Sequence, residues 1–82
     1  MTVSRRSDGT IELVGTCGLS DVEPLMQQLL ADPAATLDWR GCEQCHTAVL
    51  QIIMLFHPVL DGPPANIFLR NFIHPTLGQL DN

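Results

Sequence analysis

Apolar and polar positions alternate with a period of two at two places in the chain. Ile11 and Leu13 flank Glu12, and Leu37 and Trp39 flank Asp38. Strands are therefore predicted over residues 10–14 and 36–39, each with one buried face. Residues 2–6 form a weaker candidate strand. They precede Ser7-Asp8-Gly9, a turn whose Asp-Gly pair favours positive φ, so the first two segments read as a hairpin.

Elsewhere the period is helical. Val22, Leu25, Met26, Leu29 and Leu30 fall on one stripe. Ser20 and Glu23 have capping-box spacing, Pro24 is tolerated in a first turn, and Asp32-Pro33 ends the helix. A second helix is predicted from Thr47 to about His57, stopped by Pro58, with Val49, Ile52, Ile53 and Phe56 as its core stripe. Residues 41–46 read as the connection before it. After the turn Asp61-Gly62-Pro63-Pro64, the spacing of Phe68, Leu69, Phe72 and Ile73 predicts a short third helix over about 65–73 and a frayed tail from Pro75 to Asn82.

The order is strand, strand, helix, strand, helix, helix. It predicts an α/β fold: a small mixed β-sheet with two to three packed helices, in which the second and third strands are parallel and joined by a right-handed crossover. At 82 residues the chain is read as a single domain, 1–82.

Charge narrows the function classes. The formal net charge is −5, with four Arg (Arg5, Arg6, Arg40, Arg70) and no Lys. Scattered cations do not form the basic patch that displaces counterions from phosphates, so no nucleic acid is expected as a partner. The same deficit argues against an anionic membrane surface. The longest apolar run, Ala48 to Phe56, contains Gln51 and falls short of the roughly 20 residues of a spanning helix. Arg5-Arg6 is followed by polar residues rather than by an apolar signal segment. These points place the chain in the cytoplasm, where its three Cys are expected as thiols.

Three segments carry a resemblance. Leu13-Val14-Gly15 looks like a strand ending in Gly. Leu37-Asp38-Trp39 looks like an apolar-Asp-apolar strand. Cys45-His46-Thr47-Ala48-Val49-Leu50 falls where an Asp-Ser-Ser-Gly-Leu sequence would open the next helix. Over residues 2–57 the chain thus resembles the STAS family, whose best-known members are bacterial anti-sigma-factor antagonists. The resemblance implies a signalling and regulation module without catalysis, binding a regulatory Ser/Thr kinase of the anti-sigma type or another signalling protein. His46 stands at the family's Asp, and Thr47 at its first Ser. Ala48 stands at the Ser that accepts phosphate in the family, so this chain is expected to escape that switch. The family's usual further strand and helix have no room here.

Residue chemistry offers competing readings. Cys42-Glu43-Gln44-Cys45-His46 is a literal Cys-x-x-Cys-His. A small c-type haem protein would use Cys42 and Cys45 for thioether bonds and His46 as axial ligand. Cys42, Cys45 and His46, with Cys17 as a fourth, could also be written as zinc ligands, although structural sites usually combine two such pairs. A redox Cys-x-x-Cys gains from a helix N-terminus, and here the predicted helix begins after the second Cys. The three His lie in different segments, and no nucleophile elbow or phosphate-cradling loop occurs. The expectation is accordingly no enzyme and no cofactor.

The second helix decides the site. Beyond its core stripe it carries Met54 and Leu55 near Gln51, with Thr47 and Ala48 on the same outer side. A helix apolar on two sides is either covered twice, here by the third helix, or offered to a partner. Asp38, His46, Thr47, Ala48, Gln51 and Met54 are the expected partner-binding residues, and the exposed apolar positions leave room for a homodimer.

Overall fold

The computed structural model describes residues 2–75. Its elements are β1 (Val3–Arg5), β2 (Ile11–Cys17), α1 (Val22–Ala31), β3 (Thr36–Cys45), α2 (Thr47–Phe56) and β4 (Val59–Asp61). They form the expected α/β fold, a four-stranded mixed sheet of order β1-β2-β3-β4. β1 is antiparallel to β2, whereas β2, β3 and β4 are mutually parallel. The β1–β2 turn places Gly9 at φ 91°, as the Asp-Gly pair anticipates. Asp8 Oδ1 accepts the Thr10 N–H at 2.9 Å to close that turn.

Period-two alternation puts Ile11 and Leu13 of β2 and Leu37 and Trp39 of β3 on one face, all fully buried. Leu25 and Leu29 of α1 and Val49 and Ile53 of α2 pack against them in one core. Both helices therefore lie on the same side of the sheet. The other face carries Glu12, Val14, Asp38 and Arg40.

Five details differ from the sequence expectation. The first is the start of α1. Ser20 does not cap it; a 3₁₀ turn, Leu19–Asp21, precedes the helix instead. Asp21 Oδ2 accepts the Gly18 N–H at 2.8 Å, and Thr2 donates to Asp21 Oδ1. Asp21 thus closes the 3₁₀ turn, while α1 starts without a side-chain cap, and Asp21 also ties the β1 end to the helix.

The second and third differences are strand lengths. β2 continues past Gly15 to Cys17, and β3 continues past Trp39 to Cys45. Residues 41–45 are strand, not connection. Their alternation is masked because the β2–β3 register shifts between Glu12 and Val14 and again between Gly15 and Thr16. Extra residues at those irregularities break the period, and Gly15 at φ 82° sits at the second one.

The fourth difference is β4, three residues between Pro58 and Gly62, too short to show a period. It pairs Thr36, Leu37 and Asp38 with Val59, Leu60 and Asp61. The fifth is the last helix. Helical residues run from 67 to 75, with a π-helical stretch at Leu69–Ile73. Leu69 is buried as expected, but Phe68 is 59 % exposed. The side chain of Phe72 and the tail residues 76–82 lie outside the described ones. Asn66 anchors this segment: its Nδ2 donates to the Glu43 carbonyl at 2.7 Å and its Oδ1 accepts the Leu69 N–H at 3.1 Å.

Candidate functional site

The carboxyl ends of parallel strands, where helices begin, are the usual place for function in open α/β sheets. Here that place is the junction of β2 and β3 with the starts of the two helices. His46 makes the junction. Its N–H donates to the Cys17 carbonyl at 2.8 Å, the last rung of the β2–β3 ladder. Its backbone is extended, at φ −62° and ψ 144°. Its ring Nδ1 then accepts the Ala48 N–H at 3.0 Å, capping α2. At the far end His57 adopts φ 50° and closes the helix through its N–H to Ile53 O, where Pro58 prevents continuation.

Five of the six expected site residues share one neighbourhood. His46, Thr47, Gln51 and Met54 are exposed and Ala48 is half-buried. The spacing 47, 51, 54 sets Thr47, Gln51 and Met54 on one outward face of α2, with Leu55 beside them at 77 % exposure. A crevice of about 220 Å³ opens next to the helix start, lined by Thr16, Cys17, Gly18, Gln44, Cys45 and His46. The last helical segment packs against the core through Leu69 and Ile73 and leaves Met54 and Leu55 exposed.

Asp38 stands apart from the other five. It lies seven residues before the end of β3, about 23 Å away at the usual strand rise. The cause is the length of β3: a strand ending at Trp39 would have set Asp38 beside the helix, and one ending at Cys45 does not. Asp38 is also 95 % covered, at 5 % exposure. Arg40 grips both its oxygens, Nε to Oδ1 at 3.0 Å and Nη2 to Oδ2 at 2.8 Å, and Arg6 Nη1 approaches Oδ2 at 3.3 Å. These arginines, Arg40 first, hold the Asp38 carboxyl down at about 2 despite burial.

A carboxylate lowered in the folded state stabilises above its unfolded pKa, near 4, and loses that contribution as pH falls toward 2. Because Arg40 is 59 % exposed and screened, the contribution is roughly 1 kcal/mol. Urea unfolding at about pH 6 and about pH 2.5 is expected to show Asp38→Asn losing less stability on acidification than the wild type. Equal losses would show that the Asp38 pair has no such role.

The three cysteines are free thiols, and they meet. Cys42 Sγ lies 3.8 Å from Cys17 Sγ across the β2–β3 pair, and 3.3 Å from the Gln44 carbonyl, to which its S–H can donate. The Cys17 thiol favours ionisation of Cys42, but the adjacent Cys45 thiol and burial outweigh it and push Cys42 up to about 12. Cys17 is pushed up as well, by its hydrogen bond with Cys42 and then by burial. Sequence reasoning grouped Cys42 with Cys45 through their spacing and missed that Cys42 touches Cys17, since parallel register carries no signal in the chain itself.

Haem attachment does not fit this arrangement. Cys42 is fully buried in the core, so a porphyrin vinyl group reaches it only by opening the sheet. Among the described residues no three His, Cys, Asp or Glu side chains are placed to hold a metal ion. Among them also no helix is long and apolar enough to cross a membrane.

The protein these features define is a small α/β domain with a mixed sheet, helices on one face, and an exposed helix start at the carboxyl ends of its parallel strands. No known protein family, curated protein or solved structure matches the chain.

Proposed function

We propose that this chain is a STAS-like interaction module in bacterial signalling, without catalytic activity of its own. It meets a regulatory Ser/Thr kinase of the anti-sigma type, or another signalling protein, through the start of α2. The observation that supports this most directly is the outward face of α2. There Thr47, Gln51 and Met54 are exposed in line beside Leu55, a mixed polar and apolar strip that no described element covers. His46 fixes the helix start, so the strip is presented on a rigid support and little ordering entropy is lost on docking. Asp38 is held by its arginines and acts in stability, not in contact with the partner.

Ala48, at the position of the family's phosphate acceptor, has no hydroxyl. Thr47 has one, but in the first Ser position. The module therefore stays competent to bind in the presence of an active kinase.

Two substitutions on exposed positions test this. Gln51→Arg and Met54→Asp are each expected to weaken binding to anti-sigma-type kinases at least tenfold, about 1.4 kcal/mol. Their thermal midpoints should stay at the wild-type value, because neither side chain is in the core. Incubation with kinase and ATP should leave the protein's mass unchanged. Absence of kinase binding by the wild type, or a phosphate on Thr47, would refute the reading.

A further inference from the structure

All three cysteines of the chain converge at the carboxyl ends of β2 and β3. Cys17 and Cys42 come from adjacent strands and are buried with their sulfurs 3.8 Å apart. Cys45 stands opposite Cys17 in the strand register and is half-buried. It lines the open crevice together with Cys17. The cluster thus has an inner pair in contact and one outer thiol at a solvent entrance.

We propose that Cys17, Cys42 and Cys45 form a redox site that accepts oxidising equivalents from a small disulfide of the glutathione type at Cys45 and holds them as a Cys17–Cys42 disulfide between β2 and β3. This site is independent of whether the face of α2 binds a kinase.

The chemistry is thiol–disulfide exchange. The Cys45 thiolate attacks one sulfur of the small disulfide, forming a mixed disulfide and expelling one thiolate. Cys42 then attacks the Cys45 sulfur, loses its proton, and expels the second small thiolate. Cys17 attacks the Cys42 sulfur in turn and gives its proton to the departing Cys45. Two protein thiols have lost two electrons and two protons, and one small disulfide has become two small thiols.

Each inner step runs between neighbours. Cys42 touches Cys17, and Cys45 stands opposite Cys17 in the register, three residues after Cys42 on β3. The inner thiols are buried and held protonated, so they attack a disulfide in solvent slowly, and the less buried Cys45 is the route in. A disulfide needs the sulfurs to close from 3.8 Å to about 2.05 Å. The strand irregularity between Gly15 and Thr16, where Cys42 pairs with Gly15 and Gln44 with Thr16, supplies the local slack. Cys42 is also one residue from the Glu43 carbonyl that Asn66 holds, so a shift there reaches the last helical segment.

The test uses the unmodified protein. It is incubated with oxidised glutathione, quenched with acid, capped with a maleimide, and cut with trypsin and then a Glu-specific protease. Cleavage after Arg40, Arg70, Glu12 and Glu43 puts each cysteine on its own peptide. The expected product is the Cys17 peptide joined to the Cys42 peptide, with Cys45 capped and two hydrogens lost from the intact mass. In Cys45→Ser the same bridge should form at least tenfold more slowly, at roughly that or a larger factor given the closed inner thiols. A lasting glutathione adduct on Cys45, a bridge that includes Cys45, an unoxidised protein, or a Cys45→Ser variant that oxidises at the wild-type rate would each overturn the proposal.

Discussion

Trp39→Ala is expected to destabilise the protein by about 3–5 kcal/mol, the usual cost of emptying a fully buried aromatic site. Trp39 is the largest fully buried side chain and has no exposed surface. It lies on the central β3, between the helices and the last helical segment, and its ring faces that of His74 at 5.8 Å between centroids. A chain of 82 residues carries about 4–12 kcal/mol of total stability at the usual density per residue, so this one change removes a large share. One effect opposes the loss. Trp39 Nε1 is buried without a hydrogen-bond partner among the described residues, and deleting it relieves about 1–3 kcal/mol of desolvation. Trp39→Phe removes the same N–H while keeping most of the volume, and should therefore cost less than about 1.5 kcal/mol. Urea unfolding followed by far-ultraviolet circular dichroism measures both. If the two variants lost equal stability, the volume argument would fail.

The next largest effect is expected at Gly62. A Cβ there would stand 2.7 Å from Trp39 Nε1, 2.7 Å from His74 Cε1 and 2.9 Å from His74 Nδ1. Alanine would ordinarily stabilise by about 0.4–1 kcal/mol through the unfolded chain. Here overpacking wins, at about 1–3 kcal/mol, because the Trp39 ring is enclosed and cannot retreat. The side that yields is the imidazole, so Gly62→Ala should push the last helical segment outward before the sheet is harmed. Trp39 is the only tryptophan and the chain has no tyrosine, so its emission reports this directly. A red shift with unchanged far-ultraviolet dichroism is expected. An unshifted emission with wild-type stability would show that the ring contact is not tight.

Much of this architecture is written in short local patterns. Ile11 with Leu13, and Leu37 with Trp39, announce the two central strands because a half-buried strand needs only period-two alternation. Leu25 with Leu29 and Val49 with Ile53 announce the helices for the same reason at period 3.6. The exposed face of α2 is also legible, since Thr47, Gln51 and Met54 are set by helical spacing alone. Their sum gives the α/β class with a parallel central pair.

Other features depend on register, which no short stretch of chain contains. Cys42 was paired by spacing with Cys45, yet it touches Cys17, twenty-five residues away. Asp38 was expected beside the helix start, yet β3 carries it to the other end of the sheet, where Arg6 arrives from the first hairpin. The first outcome follows from strand pairing across two irregularities, where each extra residue changes which side chains face one another; the second follows from the length of β3.

The local periods settle which segments bury a face, because burial is a property of neighbouring residues. Tertiary structure alone settles which distant groups meet, because that is decided when parallel strands align and the chain closes its long crossovers. The contact of Cys42 with Cys17 and the approach of Arg6 to Asp38 both belong to this second kind, whereas the Arg40 grip on Asp38 is local to β3.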